Sequence, residues 1–288
     1  MSKERISIIL PAKNEALSLE RLLPQIRSVS PEAEIIVVND GSIDNTAEIC
    51  QLNGVVEVRH QYSKGNGAAI KSGARAASGQ VLVFMDGDGQ HKPADIPRLL
   101  SKFLSGYDMV VGNRDSKSQA SLGRLAANRL YNRLAGWMVG HRVRDLTSGF
   151  RVADAQKFKE FLYLLPNGFS YPTTATMAFF RAGYSVDYEP IQAEKRQGKS
   201  HVNILSDGLR FLLIIFKVGT LYSPLKLFTP ISASLFLGGT LYYIYTYSTT
   251  GRFTNMSALL FSTSLLIFLM GLISEQITML MYKKTDVD

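Results

Sequence analysis

The last part of the chain contains two long stretches without a charge. Residues 227–251 include no Asp, Glu, Lys or Arg; Arg252 interrupts, and residues 253–274 are again uncharged. Each run exceeds the ~20 apolar residues needed to cross a bilayer core. A polar turn, residues 247–255, lies between them. A soluble protein can bury a helical hairpin, but the rest of a 288-residue chain is little to cover two such helices. The reading is therefore a transmembrane hairpin over roughly residues 228–247 and 256–281. Tyr242, Tyr243, Tyr245 and Tyr247 fit an interfacial aromatic belt at its outer end. Lys217 and Lys226 precede the first span and Lys283 and Lys284 follow the second, against Arg252 alone in the turn. That asymmetry predicts an integral membrane protein with both termini in the cytoplasm. Residues 6–10 are too short for the apolar core of a signal peptide and run into Lys13 and Glu15, so the N-terminal part is expected to stay cytoplasmic. Glu275 falls near the inner end of the second span. A functional or paired membrane carboxylate, and the milder reading of snorkelling or a contact with Lys283 or with a neighbouring subunit of a homo-oligomer, stay equally open.

The remainder reads as an α/β domain. Short apolar, β-branched runs at 6–10, 35–38, 55–58, 81–85 and 109–111 alternate with helix-like stretches at 17–29, 46–52, 67–77 and 96–104. Continuous apolar strands separated by helices are the pattern of a parallel sheet covered on both faces. With 46% apolar and 19% charged residues the chain is not disordered. Its single cysteine, Cys50, excludes a disulfide framework and any multi-cysteine metal site. The formal charge of +8 points to an anionic partner.

Polar clusters follow three of the strands: Lys13-Asn14-Glu15, Asp40-Gly41-Ser42 and Asp86-Gly87-Asp88. In open α/β sheets, ligands bind beyond the carboxyl ends of the strands. Two common phosphate-binding motifs fail. Gly65-Asn66-Gly67-Ala68-Ala69-Ile70 has Ile70 where a dinucleotide fingerprint needs glycine, and Gly198-Lys199-Ser200 has Ala193 where a P-loop needs one. Asp86, Asp88 and Gln90 present hard oxygen donors, which suit Mg²⁺ or Mn²⁺ bound together with substrate phosphates. A solvated Asp-Gly turn is the competing reading, and the position after the most apolar strand favours a site.

These motifs together resemble those of GT-A-fold family-two glycosyltransferases. The similarity runs through residues 7–15, 34–46 and 86–91 in order, and the helix start at residues 64–69 is similar to the family's Gly-Lys-Gly, with Asn66 where lysine is frequent. Residues 145–151 (DLTSGFR) and 196–200 (RQGKS) are similar to segments of the polyprenyl-phosphate subgroup, which includes dolichol-phosphate mannose synthases and bactoprenol glucosyltransferases. The resemblance implies a Rossmann-like GT-A catalytic domain with a mostly parallel sheet over 1–202; Phe211, Leu212, Ile214, Ile215, Phe216 and Val218 between Asp207, Arg210 and Lys217 predict an amphipathic juxtamembrane helix over 203–226, ahead of the two-span hairpin with a short tail over 227–288. It implies that Pro11, Ala12, Asn14, Glu15 and Asp40 line the base and ribose pocket, with Lys64 at the nucleotide sugar. Asp86 would lie against nucleotide and metal, and Asp88 and Gln90 would hold the metal on the diphosphate. Arg196, Lys199 and Ser200 would sit on a loop that closes over it. Asn39 stands where the family often carries Asp, and His91 reads as structural.

The segment from Arg114 to Arg144 holds seven basic residues and one acid, Asp115. Leu122, Leu125, Ala126, Leu130, Leu134, Trp137 and Met138 recur beside these arginines at helical spacing. A basic amphipathic helix with a tryptophan reads as a membrane-surface element, the alternative being a solvated face over a core stripe. With a membrane tail in the same chain, nucleic acid is not the expected partner; the lipid bilayer is. Arg114 aligns with a phosphate-binding arginine of the family, and Arg124 or Arg129 is the second candidate. The implied reaction is an inverting transfer of a hexose from a GDP- or UDP-sugar to polyprenyl phosphate. Asp145 has two readings, general base or partner that orients an arginine, and the second is preferred. The processive Gln-x-x-Arg-Trp motif is absent, since the single tryptophan lies in LAGWMV.

Overall fold

The computed structural model describes residues 5–114, 122–168, 170–192, 216–217 and 219–283. They fall into two compact units, one of residues 1–137 and 141–201, the other of 138–140 and 202–288.

The first unit is built on a seven-stranded sheet. Its strands are β1 (Ile6–Ala12), β2 (Glu34–Asp40), β3 (Val56–His60), β4 (Val81–Phe84), β5 (Met109–Arg114), β6 (Arg151–Asp154) and β7 (Val186–Ile191). The spatial order is β3-β2-β1-β4-β6-β5-β7. Helices α1 (Ala16–Val29), α2 (Thr46–Leu52), α3 (Asn66–Ala76), α4 (Ile96–Leu104), α5 (Leu122–Val139), α6 (Ala155–Glu160) and α7 (Tyr171–Arg181) complete it. The five strands and four helices expected from the apolar runs all form.

Alternation along β1 explains the two covered faces. Ile8 and Leu10 pack with Leu19, Leu22 and Ile26 of α1 and with Ile96 and Leu99 of α4. Ile9 points the other way, towards α3, where Gly73 comes so close that a Cβ would stand 2.4 Å from the Ile9 methyl. All these apolar residues are buried, and each contributes about 1.5–3 kcal/mol by leaving water.

The sheet is mostly parallel, but β6 runs antiparallel to both β4 and β5. The mostly parallel sheet is the expected one, but β6 itself was not among the expected strands, for a physical reason. β6 is four residues long and begins and ends on charges, Arg151 and Asp154, so it lacks the apolar run of its neighbours. β7 carries Pro190 and pairs only with β5, as befits an edge strand.

The β1–β4 pairing continues past the strand ends. Met85 N–H donates to Ile9 O (3.1 Å) and Gly87 N–H to Pro11 O (3.2 Å). Asp86 and Asp88 are thereby delivered beside Pro11 and Ala12 at the carboxyl edge of the sheet.

In the second unit, α8 (Pro224–Thr250) and α9 (Asn255–Lys283) form an antiparallel hairpin. Both are long and apolar enough to cross a membrane. Gly251, in the left-handed region at φ +66°, ends α8 and starts the turn. Small residues let the helices approach: Gly239 faces Leu260 and Phe261, and Gly271 faces Phe228. Ser232 Oγ donates to Ser264 O, and Ser264 Oγ donates to Ser232 O, both at 2.9 Å. Leu237, Leu241, Leu266 and Ile273 point outward, each more than half exposed. Glu275 accepts a hydrogen bond from Leu225 N–H (3.3 Å) in the first turn of α8. The hairpin thus gives this carboxylate a partner at a helix N-terminus, a contact that the sequence readings did not include.

Candidate active site

Three loops leave the carboxyl edge of the sheet and are tied together before any ligand is considered. Asn14 follows β1 in the left-handed region (φ +56°), which asparagine tolerates. Its Oδ1 accepts from Ile43 N–H (2.9 Å), while its own N–H donates to Ser42 Oγ (3.0 Å). Asp44 then accepts from Ala16 N–H (3.0 Å) and from the hydroxyl of Thr46. The loops after β1 and β2 thus form one cross-linked wall. Pro11 and Glu15 are half-buried in it, Ala12 is buried and Asn14 is exposed.

Asp40 is turned inward. His60 Nδ1 lies 2.7 Å from one oxygen, which also accepts from Lys64 N–H (2.8 Å). The other accepts from Ser63 Oγ (2.8 Å) and Gly65 N–H (2.9 Å). Its carboxylate therefore fastens the loop after β3, and Lys64 is held there through its backbone with its side chain exposed. Burial raises the Asp40 pKa, but these donors, His60 foremost, outweigh it and hold it at about 2. A carboxylate with a depressed folded pKa stabilises the fold above its unfolded value and loses that contribution as pH falls. Wild-type protein should lose melting temperature between pH 3.8 and about 2. Asp40→Asn, less stable at neutral pH, should lack that limb in melts taken across this range. An identical acid limb in the variant would show that Asp40 is not its source.

The glycines of residues 65–67 have a local purpose. A Cβ on Gly67 would stand 1.9 Å from Pro166 O. The first N–H groups of α3 donate to Gly168 O and Asn167 O. This helix start is occupied by carbonyl groups of the 166–168 loop.

Asp86 and Asp88 flank Gly87, and both are half-buried. Asp88 Oδ1 accepts from Gln90 N–H (3.1 Å), which folds Gln90 back over the turn. Asp86 accepts no hydrogen bond among the described residues, yet Gly149 packs directly on it: a Cβ there would stand 2.5 Å from Asp86 Oδ2. His91 is buried with Nδ1 unpartnered, its ring 5.1 Å from that of Phe150. Burial keeps its pKa below the ordinary histidine value against the pull of Asp86 and Asp88.

Among the described residues, no three His, Cys, Asp or Glu side chains converge as a closed metal cage. Two carboxylates and an amide oxygen on one turn, with Asp86 left open, instead suit a hard divalent ion that completes its shell with phosphate and water. The donor set fits Mg²⁺ or Mn²⁺.

Arg114, at the end of β5, pairs with buried Asp145. Nε reaches Asp145 Oδ2 at 2.8 Å, and Nη2 reaches Oδ1 at 2.9 Å and Thr147 Oγ1 at 2.6 Å. Asp145 also accepts from the N–H groups of Thr147 and Ser148 (both 3.1 Å). Burial raises its pKa, but the hydrogen bonds and charge of Arg114 hold it below the usual carboxylate range. Asn132 of α5 secures the neighbouring backbone, donating to Arg144 O (2.6 Å) and accepting from Leu146 N–H (3.2 Å). Gly149, four residues past Asp145, packs on Asp86, so the Arg114–Asp145 pair stands on the strap that borders the carboxylate turn.

Helix α5 carries Arg124 in its first turn and Arg129 further along, exposed. Tyr131, Ala135 and Met138 are buried, while Leu130 and Trp137 stand about half exposed beside exposed Arg133. The expected apolar stripe is thus divided, since Leu130 and Trp137 share the outer face with arginines. Arg196, Lys199 and Ser200 lie outside the described residues.

Sequence reasoning missed the function of Gly149, Arg151 and Tyr171 around Asp86, and of His60 and Ser63 around Asp40. Residues 145–151 were singled out as a motif, which was the available signal for the first group.

Residues 223–280 match the GtrB C-terminal hairpin. Glycosyltransferase AglJ of Haloferax volcanii is 26% identical over 95% of this chain and 94% of its own length. An undecaprenyl-phosphate 4-deoxy-4-formamido-L-arabinose transferase of Pseudomonas aeruginosa is 28% identical over 83% of this chain and 72% of its own. Glucosyl-3-phosphoglycerate synthase of Mycobacterium tuberculosis, solved with Mn²⁺, UDP and glucosyl-3-phosphoglycerate, shares the GT-A fold. The match has a TM-score of 0.60 at 20% identity, over 75% of this chain and 79% of that one. Residues 7–162, which carry β1 to β6 and with them the Asp86–Asp88 turn and the Arg114–Asp145 pair, match the Glycosyl transferase family 2 model, and the chain belongs to that family.

Proposed function

We propose that this glycosyltransferase moves a hexose from a nucleotide sugar to polyprenyl phosphate at the cytoplasmic face of a membrane. In this reading the catalytic domain over 1–202 stands in the cytoplasm, the 203–226 segment, of which 203–215 and 218 lie outside the described residues, belongs to the interface, and the 227–288 hairpin anchors the chain with both termini inside. The observation that carries the reading is one turn presenting two carboxylates, Asp86 and Asp88, packed against the 145–150 strap whose buried Asp145 fixes Arg114. The apolar hairpin and the relatives that act on undecaprenyl phosphate support it further.

A phosphate monoester has its second pKa near ~6 and is largely dianionic at pH 7. Such an acceptor needs placing, not deprotonating. Arg114, with Asp145 fixing its plane, presents the acceptor phosphate, and Arg124 or Arg129 supplies the second contact. The phosphate oxygen bonds to the anomeric carbon as the bond to the nucleoside diphosphate breaks on the opposite face, inverting the configuration. Asp86, Asp88 and Gln90 would hold Mg²⁺ or Mn²⁺, which when bound neutralises charge on the departing diphosphate. Pro11, Ala12, Asn14 and Glu15 line the nucleotide pocket that Asp40 braces, Lys64 meets the nucleotide sugar, and Arg196, Lys199 and Ser200, outside the described residues, would meet the diphosphate. A hydroxyl acceptor would require a general base, and Asp145, the candidate, is engaged by Arg114.

The test is to incubate purified protein with UDP- and GDP-hexoses, a short polyprenyl phosphate and Mg²⁺ or Mn²⁺, and to weigh the lipid. A gain of one hexose on the lipid phosphate, with release of the nucleoside diphosphate, is expected. Sugar appearing on hydroxyl acceptors while polyprenyl phosphate stays unmodified would overturn the acceptor assignment.

A further inference from the structure

Arg151 is fully buried at the start of β6, yet no carboxylate pairs with it among the described residues. A buried charge without an ion pair is costly and calls for an explanation. Its guanidinium donates to Ser148 O, to Pro172 O (3.0 Å) and to Thr176 Oγ1 (3.3 Å), and its Nε is buried without a partner. The Tyr171 ring lies 5.6 Å from it. Burial pushes the Arg151 pKa down, while Tyr171, Tyr188, Asp145 and Asp86 act in the opposite sense.

The groups it holds form the wall behind Asp86. Ser148 O is taken by Arg151, Gly149 O by the Tyr171 hydroxyl (3.2 Å) and Phe150 O by Gly112 N–H (2.9 Å). Three successive carbonyls are thus pinned, and the middle residue is the glycine that packs on the Asp86 carboxylate. Arg151 stands opposite Phe84 in the β4–β6 pairing, two residues before Asp86, so the same guanidinium sets a buried positive charge behind the carboxylate turn.

We infer that Arg151 is a positioning residue for the cation site: it fixes the 148–150 strap against Asp86 and, by its buried charge, weakens the hold of the carboxylates on a divalent ion. This rests on the reading of Asp86 and Asp88 as the cation's ligands. A loosely held ion arrives and leaves with the diphosphate, which suits a cofactor that must not trap the product. The two functions of Arg151 separate by substitution. Arg151→Met removes the charge and frees the strap; Arg151→Lys keeps the charge and loses the planar fork.

The experiment titrates Mn²⁺ into full-length protein in detergent, with UDP and separately with GDP, following the signal of free Mn²⁺ by electron paramagnetic resonance. Turnover and melting temperature are measured on the same samples. Arg151→Met should bind Mn²⁺ more tightly, by about threefold or more, although kcat falls by about tenfold or more. Arg151→Lys should keep the wild-type Mn²⁺ affinity and lose kcat, and Tyr171→Phe should do the same more mildly. A merely structural residue would loosen Mn²⁺ binding and turnover together. Arg151→Met affinity that is unchanged or weaker, in wild-type protein that does bind Mn²⁺, overturns the inference alone. If Arg151→Met does not fold, a changed Mn²⁺ affinity in Arg151→Lys overturns it. Wild-type protein that binds no Mn²⁺ with either nucleotide removes the ligand reading and the inference with it.

Discussion

Gly149→Ala is expected to lower turnover by about a hundredfold, because a 1 Å displacement of a reacting group costs that much. The added methyl would stand 2.5 Å from Asp86 Oδ2 and 3.0 Å from Asp86 Cγ. Something must yield, and the structure indicates which side. The 148–150 strap is held at three successive carbonyls by Arg151, Tyr171 and Gly112. Asp86 accepts no hydrogen bond among the described residues and sits at the end of a short side chain. The carboxylate therefore moves and the strap stays. Overpacking costs about 1–3 kcal/mol, so the variant should still fold and show a cooperative melt a few degrees lower. Turnover within threefold of wild type would mean that Asp86 has room to adjust without consequence, and the tight contact with Gly149 would lose its functional meaning.

The same contact shows where sequence reading stops. β1, β2 and β4 were legible because they are continuous apolar runs, and the Asp86–Asp88 turn was legible because it follows the most apolar of them. The hairpin was legible because charge is absent from it. The grip on Asp86 was not, since a glycine in a loop carries no pattern and nothing in the DLTSGFR segment shows that Arg151 is buried until its strand is found. β6 escaped notice for that reason too. Asp40 was legible as a site residue by its position after β2, but its direction was not. Four donors from residues 60–65 turn its carboxylate into the protein: the His60 imidazole, the Ser63 hydroxyl and two backbone N–H groups, whose convergence on one carboxylate has no signature in the sequence. Arg114 and Asp145 were both singled out, and their mutual orientation came only with the strand crossing that brings residues 31 apart into contact.

That orientation sets the second large expectation. Asp145→Asn is nearly isosteric, but it removes the charge that two arms of the Arg114 guanidinium grip at 2.8 and 2.9 Å. The Asp145 side chain is 7% exposed and that of Arg114 27%, so water cannot replace the lost partner freely. Breaking a buried pair from one side costs about 3–5 kcal/mol, and the melting temperature should fall accordingly. For activity the two readings of Asp145 diverge. A general base works best with a pKa near the operating pH, whereas Arg114 holds Asp145 below the ordinary carboxylate range despite burial. An orienting carboxylate acts through Arg114, so its loss should fall mainly on capture of the acceptor. We expect KM for the lipid phosphate to rise by about tenfold or more, as a displaced arginine gives up its paired contacts. The donor KM should stay near wild type, and the acid limb of the pH profile, where a general base would be protonated, should keep its shape. Arg114→Lys, which keeps the charge and loses the fork, should reproduce the acceptor defect. If Asp145→Asn instead leaves acceptor KM unchanged, lowers kcat and erases a limb of the pH profile, then Asp145 is the base, and the acceptor brings a proton that must be removed.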